Sequence, residues 1–236
     1  MAKYGLIGYP AAGSQSPALF AAAYGGRYPY EIIEDEDFAL AFDKFIREDF
    51  RAVNVTAPHK LAAAAAADWR SPEVERIGAA NILVKTAEGV KAYNSDYLAV
   101  KQLIDGLDVG TAIIIGLGGA GRAALHACRD SGLKTSALHH DEITGIGGDG
   151  DCPGGSVFRD NPVAADLIVY TLPRAVPGIE IIRCKYLIEA NYIDPACSNL
   201  PGVDHYIGGI MWLKAQAIKG YGLMTGELPD YSALVL

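Results

Sequence analysis

Two groups of residues in this chain have types and spacings that could do chemistry. The first is Gly116-Leu117-Gly118-Gly119-Ala120-Gly121, a GxGxxG turn that follows the apolar run Ala112-Ile113-Ile114-Ile115 and leads into a helical stretch. In that setting glycine permits a tight bend and the close approach of a pyrophosphate, whose charge is met by the helix N-terminus. Away from a strand and a helix, the same glycines would say only that the chain turns. The second group is a set of polar side chains at turns and strand ends of the first hundred residues: Ser14, Ser16, Asn54, Thr56, His59, Lys60, Asn81, Asn94 and Asp96. Singly, each has an ordinary explanation. Ser16 can cap a helix, Asn81 and Asn94 can satisfy strand ends, and Lys60 can be a solvated lysine at a helix start.

Regular elements have to carry these groups, and the apolar pattern supplies them. Over the first hundred residues short apolar runs alternate with helical stretches: Tyr4 to Gly8, a helix from Pro17 to Tyr24 opened by Ser16-Pro17, Tyr30 to Ile33, a helix from Phe38 to Arg47, and Ala52 to Val55. Leu61 to Trp69 is an alanine-rich helical run, and Asn81 to Val84 with Val90 to Tyr93 reads as a hairpin through Glu88-Gly89. A second unit opens at Thr111, where Ala112 to Ile115 has the continuous apolar character of a strand buried on both faces of a parallel sheet. The helix after the glycine turn ends near Asp130, and Thr135 to Leu138, Asp166 to Tyr170 and Tyr186 to Ala190 give further strands. His139 to Ser156, rich in Gly and Asp, reads as a long loop in place of a crossover helix, and Gly208 to Met224 as two helices broken near Gly220. The pattern predicts an α/β chain of two domains. An N-terminal α/β substrate-binding domain covers residues 1–102, a shortened Rossmann-like nucleotide-binding domain covers 103–207, and a C-terminal helical return over 208–236 rejoins the first.

Composition narrows the function. With 236 residues, half of them hydrophobic and a fifth charged, the chain has room for one large or two compact domains. A net charge of -8 without any basic run argues against nucleic acid or an anionic membrane as partner. Cys128, Cys152, Cys184 and Cys197 are scattered and form no CxxC, so reduced structural thiols are expected and no metal site. The start Met1-Ala2-Lys3 leads straight into a strand and no apolar run reaches spanning length, so the expected location is the cytoplasm.

Nucleotide selectivity is written at the end of the strand after the glycine turn, where an acid accepts from the ribose 2′-hydroxyl or a cationic group meets a 2′-phosphate. The chain reads His139-His140-Asp141 there. Asp141 has the spacing, about 20 residues after the glycines, of an NAD-type acid. The two histidines are alternative donors to a phosphate when protonated.

Four collinear segments resemble the shikimate dehydrogenase family: Gly13-Ser14-Gln15-Ser16-Pro17, Asn54-Val55-Thr56-Ala57-Pro58-His59-Lys60, Ile77-Gly78-Ala79-Ala80-Asn81 and Asn94-Ser95-Asp96. The family patterns are SxSP, NVTxPxK, IGAxN and N-T-D, followed by a GxGGxx(R) turn. Glu189-Ala190-Asn191-Tyr192 is similar to the family's D-x-x-Y, and Gln216-Ala217 with Gly226 to its QA helix, so the resemblance covers nearly the whole chain. It implies reversible, NADP(H)-dependent reduction of 3-dehydroshikimate to shikimate, in aromatic amino acid biosynthesis, by a monomer or homodimer. It puts Ser14, Ser16 and Tyr192 on the substrate carboxylate and Thr56, Lys60, Asn81, Asp96 and Gln216 on the ring hydroxyls. Gly116, Gly118, Gly119, Ala120, Gly121, His139, His140, Asp141, Thr171 and Gly209 fall on the cofactor side. Reduction of a keto group needs a proton at the developing alkoxide, and a lysine oriented by a carboxylate suits that step. Lys60 is therefore the expected proton donor, Asp96 its partner, and His59 has no role.

The departures lie mainly on the cofactor side. His139-His140-Asp141 replaces the family's N-R-T, Tyr170-Thr171-Leu172-Pro173 has leucine where N-A-T-P has threonine, and Tyr97 stands where glycine commonly follows N-T-D. Two alternatives stay open at this level: an NAD-using paralogue acting on quinate or a related cyclic acid, favoured by Asp141, and a shikimate-binding homologue with weak or no catalysis.

Overall fold

The structure, a computed structural model, describes residues 2–139 and 163–234. Two compact units are present: Met1–Ala99 with Lys214–Leu236, and Val100–Leu213. The first contains β1 (Lys3–Gly8), α1 (Ser16–Ala23), β2 (Tyr30–Glu34), α2 (Phe38–Arg47), β3 (Phe50–Val55), α3 (Lys60–Ala66), β4 (Trp69–Arg70), α4 (Pro72–Ile77), β5 (Ile82–Thr86) and β6 (Gly89–Tyr93), followed by the start of α5 (Ser95–Ile104). Its sheet runs β2-β1-β3-β5-β6-β4. β1 is parallel to β2 and β3, whereas β5 is antiparallel to both β3 and β6. From β1 the chain moves one way to β2 and then the other way to β3. That reversal opens a crevice beyond the carboxyl ends of β1 and β3, where ligands of open α/β sheets bind.

Local sequence explains why these elements form. In α2, Asp37 accepts from the Ala39 N–H at 2.8 Å, so the first turn has a side-chain cap. Its Ala41 and Phe45 face the core, with Ile7, Phe50, Val53 and Leu83 packed in the same cluster. Burying one such large side chain contributes about 1.5–3 kcal/mol. At the other end Lys85 Nζ donates to the carbonyls of Phe45, Ile46 and Glu48 at 2.9, 3.2 and 2.7 Å, which otherwise lack helical partners.

The second unit contains β7 (Thr111–Ile115), α6 (Gly119–Asp130), β8 (Lys134–Leu138), β9 (Ala164–Tyr170), a 3-10 turn (Ile179–Ile181), β10 (Arg183–Glu189) and β11 (Val203–Ile207). Among the described residues its five strands are all parallel, in the order β11-β10-β9-β7-β8. The direction of winding reverses between β7 and β9, and the glycine turn leaves β7 at that point. Ile115, Ile168, Tyr170, Ile182 and Leu187 form the core on this sheet. α7 (Gly209–Thr225) begins in this unit and belongs to the first unit from Lys214 onward.

The α/β class with a parallel nucleotide-type sheet agrees with the reading from sequence, and several details differ. Ser16 does not cap α1 from outside; it is the first helical residue, and Pro17 occupies the opening turn where no N–H is needed. The alanine-rich helix stops at Ala66, and Trp69 and Arg70 instead pair with Lys91 and Ala92 of β6. α4, α5 and β11 had no distinct sequence signal. The expected loop after His139 lies, from His140 to Ser156, outside the described residues, as does Cys152.

α7 is unbroken at Gly220, contrary to expectation. Glycine costs a helix interior about 1 kcal/mol, yet contact dictates it here. A Cβ at Gly220 would stand 2.7 Å from Ile82 Cδ1 and 3.0 Å from Ser95 Oγ. Gly220→Ala should thus gain up to about 1 kcal/mol of helix propensity and lose about 1–3 kcal/mol to overpacking. The loss should win, and a thermal melt is expected to show a lower midpoint; a higher midpoint would mean that Ile82 and Ser95 give way freely.

Candidate active site

The carboxyl ends of β1 and β3 form the floor of the site. Thr56 N–H donates to the Ile7 carbonyl at 2.9 Å and Tyr9 N–H to the Ala57 carbonyl at 3.1 Å, so the loops following the two strands are laced together. Gly8 makes this possible, because a Cβ there would come within 2.2 Å of Thr56 Cγ2. Glu34 at the end of β2 takes the Ala11 N–H at 3.1 Å and draws the third loop in.

On that floor Ser14 and Ser16 stand together. Ser14 Oγ donates to Ser16 Oγ at 3.1 Å and accepts the Ser16 N–H at 3.2 Å, while Tyr221 of α7 donates to the Ser16 carbonyl at 3.3 Å. Two hydroxyls so close suit a shared acceptor such as a carboxylate.

Lys60 begins α3 and Asp96 lies in the first turn of α5. Nζ and Oδ2 are 2.5 Å apart, and the side chains keep 14% and 7% of their surface. A cation at a helix start is unfavourable and an anion there is favourable, so the pair offsets the misplaced charge with the well-placed one. Being largely buried, it cannot exchange either partner for water cheaply. His59, the residue before, is 4% exposed and turned away: its Nε2 is 2.8 Å from the Asp35 carbonyl and its ring lies 5.6 Å from that of Phe38.

Asn81 and Gln216 meet through a residue that the sequence reading gave no role. Ser95, fully buried, donates its N–H to Asn81 Oδ1 at 2.7 Å; its hydroxyl is 3.0 Å from Asn81 Nδ2 and 3.0 Å from Gln216 Oε1. The only available signal was its place in Asn94-Ser95-Asp96. The Ala80 N–H bonds the Lys60 carbonyl at 2.8 Å, which links this network to the ion pair. Asn94 is structural: it accepts the Tyr97 N–H at 3.0 Å as the cap of α5 and donates to the Ala79 carbonyl at 2.8 Å. The first unit therefore gathers Ser14, Ser16, Thr56, Lys60, Asn81, Asp96 and Gln216.

The remaining candidates belong to the second unit. In its glycine turn three residues do three jobs. Gly116 takes φ +91°, and a Cβ there would meet Leu172 Cδ2 and Thr171 Oγ1, both at 2.8 Å. At Gly121 a Cβ would reach the Gly116 carbonyl oxygen at 1.9 Å, so strand and helix could not close up. Around Gly118, the N-cap of α6, no atom of the described residues lies within 4 Å of the Cβ position. That open backbone at a helix start is the cradle a pyrophosphate needs, and Gly119 and Ala120 continue it. Thr171 fastens the turn from β9, with Oγ1 3.0 and 3.1 Å from the carbonyls of Ile115 and Gly116. His139 directly follows β8, whose Leu138 carbonyl holds the Gly116 N–H at 3.0 Å. His140 and Asp141 lie outside the described residues.

Tyr192 sits in the loop after β10, and that loop is fixed by Glu189. The buried carboxylate accepts from the N–H groups of Ala196 and Cys197 at 2.6 and 3.2 Å and from the Tyr206 hydroxyl at 2.6 Å. Burial, and then this carboxylate, push the Tyr206 phenol well above its ordinary range. Gly209 packs on the same loop, where a Cβ would come within 2.5 Å of the Asn191 carbonyl; contact explains its identity. Burial also pushes the Cys128 and Cys184 thiols up to about 12, which leaves them protonated and unreactive.

A family of sequences described as the shikimate dehydrogenase substrate binding domain matches residues 6–83. The shikimate dehydrogenase (NADP(+)) of Thermus thermophilus is 37% identical over 141 residues, which is 57% of this chain and 54% of that one. The aligned part thus spans about half the length of that relative. The shikimate dehydrogenase (NADP(+)) of Aeropyrum pernix is 30% identical over 200 residues, 76% of this chain and 71% of its own. Among solved structures, shikimate 5-dehydrogenase from Thermus thermophilus in complex with shikimate superposes with a TM-score of 0.77 at 26% identity, over 99% of this chain and 96% of that one. Shikimate dehydrogenase from Mycobacterium tuberculosis gives 0.76 at 26% identity, over 99% and 97%.

The glycine turn yields a contrast between two variants. Gly118→Ala should melt within about 1 °C of the unaltered chain, because its Cβ enters open space, but should bind dinucleotide at least about tenfold more weakly, because that space is the cradle. Gly121→Ala should lower the melting point outright by overpacking. Calorimetric titration and thermal melts on both variants check this; equal dinucleotide binding by Gly118→Ala would remove the turn from the site.

Proposed function

This chain belongs to the shikimate dehydrogenase family, and from that membership we propose that it catalyses the reversible NADP(H)-linked reduction of 3-dehydroshikimate to shikimate, a step of aromatic amino acid biosynthesis. The observation that carries the reading is the Lys60–Asp96 pair, 2.5 Å apart and mostly buried, in the unit that also holds Ser14, Ser16, Thr56, Asn81 and Gln216. A site that only bound shikimate would have no need of a proton donor held by a carboxylate.

In this proposal the first unit is the substrate domain and the parallel-sheet unit the nucleotide domain. Ser14, Ser16 and Tyr192 hold the substrate carboxylate, and Thr56, Asn81 and Gln216 hold ring hydroxyls. Lys60 points its ammonium at the 3-keto oxygen and stabilises the charge that gathers there. As the carbonyl π bond breaks, Lys60 passes one proton from Nζ to that oxygen and is left neutral, to be recharged from solvent. Asp96 keeps Nζ aimed, and in the oxidative direction steadies the ammonium formed when Lys60 takes the hydroxyl proton. NADPH, when bound, supplies the hydride that reaches the 3-keto carbon. Gly116, Gly118, Gly119, Ala120 and Gly121 would hold its pyrophosphate, with His139 on the side of the 2′-phosphate. The partner is this small molecule and not nucleic acid, the protein acts in the cytoplasm as a monomer or homodimer, and no helix among the described residues is long and apolar enough to cross a membrane.

Initial rates with NADP and NAD, each on shikimate and quinate, test the reading, and NADP with shikimate should be the fastest combination. Lys60→Ala should lower kcat by about 10²- to 10⁴-fold with little change in KM, since its proton is needed in the transition state. Asp96→Asn should damage both parameters. Wild-type protein that binds shikimate but turns over with neither cofactor would sink the assignment.

A further inference from the structure

We infer that Ser95 is a positioning residue that fixes which way the amides of Asn81 and Gln216 face, so that the site offers hydrogen-bond donors to its substrate; the inference rests on the substrate reading above. The oxygen and nitrogen of an amide are told apart by their partners. Here one partner has no ambiguity, because the backbone N–H of Ser95 can only donate. It lies 2.7 Å from one terminal atom of Asn81, which is therefore Oδ1. The other terminal atom is then Nδ2, and it donates to Ser95 Oγ at 3.0 Å.

Ser95 Oγ carries a single hydrogen, and two acceptors compete for it. Asn81 Oδ1, already engaged by the backbone N–H, is 3.3 Å away, whereas Gln216 lies at 3.0 Å. The hydrogen goes to Gln216, and the near atom of that amide is its oxygen, Oε1. Polarity thus runs in one direction: from Ser95 N–H to Asn81, from Asn81 to Ser95 Oγ, and from Ser95 Oγ to Gln216. What is left for a ligand follows from subtraction. Among the described residues, Gln216 Nε2 keeps two N–H donors and Asn81 Nδ2 keeps one.

Burial makes this polarity binding. Asn81, Ser95 and Gln216 are 3%, 0% and 7% exposed, so a flipped Asn81 would set its NH2 against the Ser95 N–H with no water to take up the loss, and a flipped Gln216 would push the Ser95 hydrogen onto the longer, 3.3 Å contact with Asn81 Oδ1. The geometry also explains Gly220, since a side chain on α7 at that point would stand 3.0 Å from the same hydroxyl. A ring oxygen that accepts fits this wall of the site, and a substituent that can only donate does not.

The test is shikimate binding by calorimetry, with KM and kcat, for wild type, Ser95→Ala and Ser95→Thr. Removing the hydroxyl leaves the backbone N–H on Asn81 Oδ1 but releases Gln216 and takes the acceptor from Asn81 Nδ2, and Ser95→Ala should raise Kd and KM about tenfold. Its kcat should change less than about threefold, since Lys60 and Asp96 keep their contact. Ser95→Thr restores the hydroxyl and should recover the affinity. Unchanged affinity in Ser95→Ala, or a loss that Ser95→Thr does not recover, overturns the inference. Should Ser95→Ala not fold, Gln216→Glu decides: its carboxylate accepts from Ser95 as the amide oxygen did but offers the ligand no donor, so wild-type affinity there overturns the inference. A wild-type chain that does not bind shikimate overturns the substrate reading and this inference with it, whereas failure among the variants alone overturns only this inference.

Discussion

Two short bonds between the side chain of Asn81 and Ser95 tie the entry of β5 to the start of α5, and the first unit is organised around them. A buried amide has to satisfy its donors and acceptors internally. Asn81 does so on a residue adjacent to Asp96, so satisfying the amide also places the carboxylate. Through the Ser95 hydroxyl the same network reaches Gln216, on a helix that has come back from the other end of the sequence. One polar requirement thus sets three side chains of the site.

Charge placement follows from where the helices begin. Lys60 stands at the positive end of α3, a poor position for a cation, and Asp96 near the positive end of α5, a good one for an anion. Burial of such a pair is weak grounds for stability, because desolvation consumes much of the Coulombic gain. Its value lies in orientation. An ammonium held at 2.5 Å by one carboxylate oxygen has its direction decided before a substrate arrives.

The second unit solves a different problem, which is to leave backbone open at a helix start without losing the contacts that hold strand and helix together. Gly121 lets the helix close onto the Gly116 carbonyl, and Thr171 pins that carbonyl from the neighbouring strand, while the space at Gly118 stays clear. Glu189 does comparable work at the end of β10, where its three donors hold the loop that bears Tyr192.

Whatever depends on neighbours along the chain is legible without the fold. β7, the glycine turn and α6 are local: an apolar run, a residue with positive φ and a helix start follow one another, and each can be read without knowing the fold. α2 was readable for the same reason, with its apolar face inside ten residues. The four polar motifs were visible as motifs, and only their resemblance to a family attached chemistry to them. Tertiary structure decided what depends on residues far apart in sequence. Neither α5 nor β11 has a strong period of its own, and both are held by long-range contact. Gly220 reads as a helix breaker from propensity and is a contact residue because Ser95 and Ile82 lie against it. Ser95 looked like one hydroxyl among many; what it does comes from Asn81, fourteen residues away, and Gln216, a hundred and twenty-one residues away. Hydrogen-bond polarity belongs to a closed network, and the network closes only when the chain has folded.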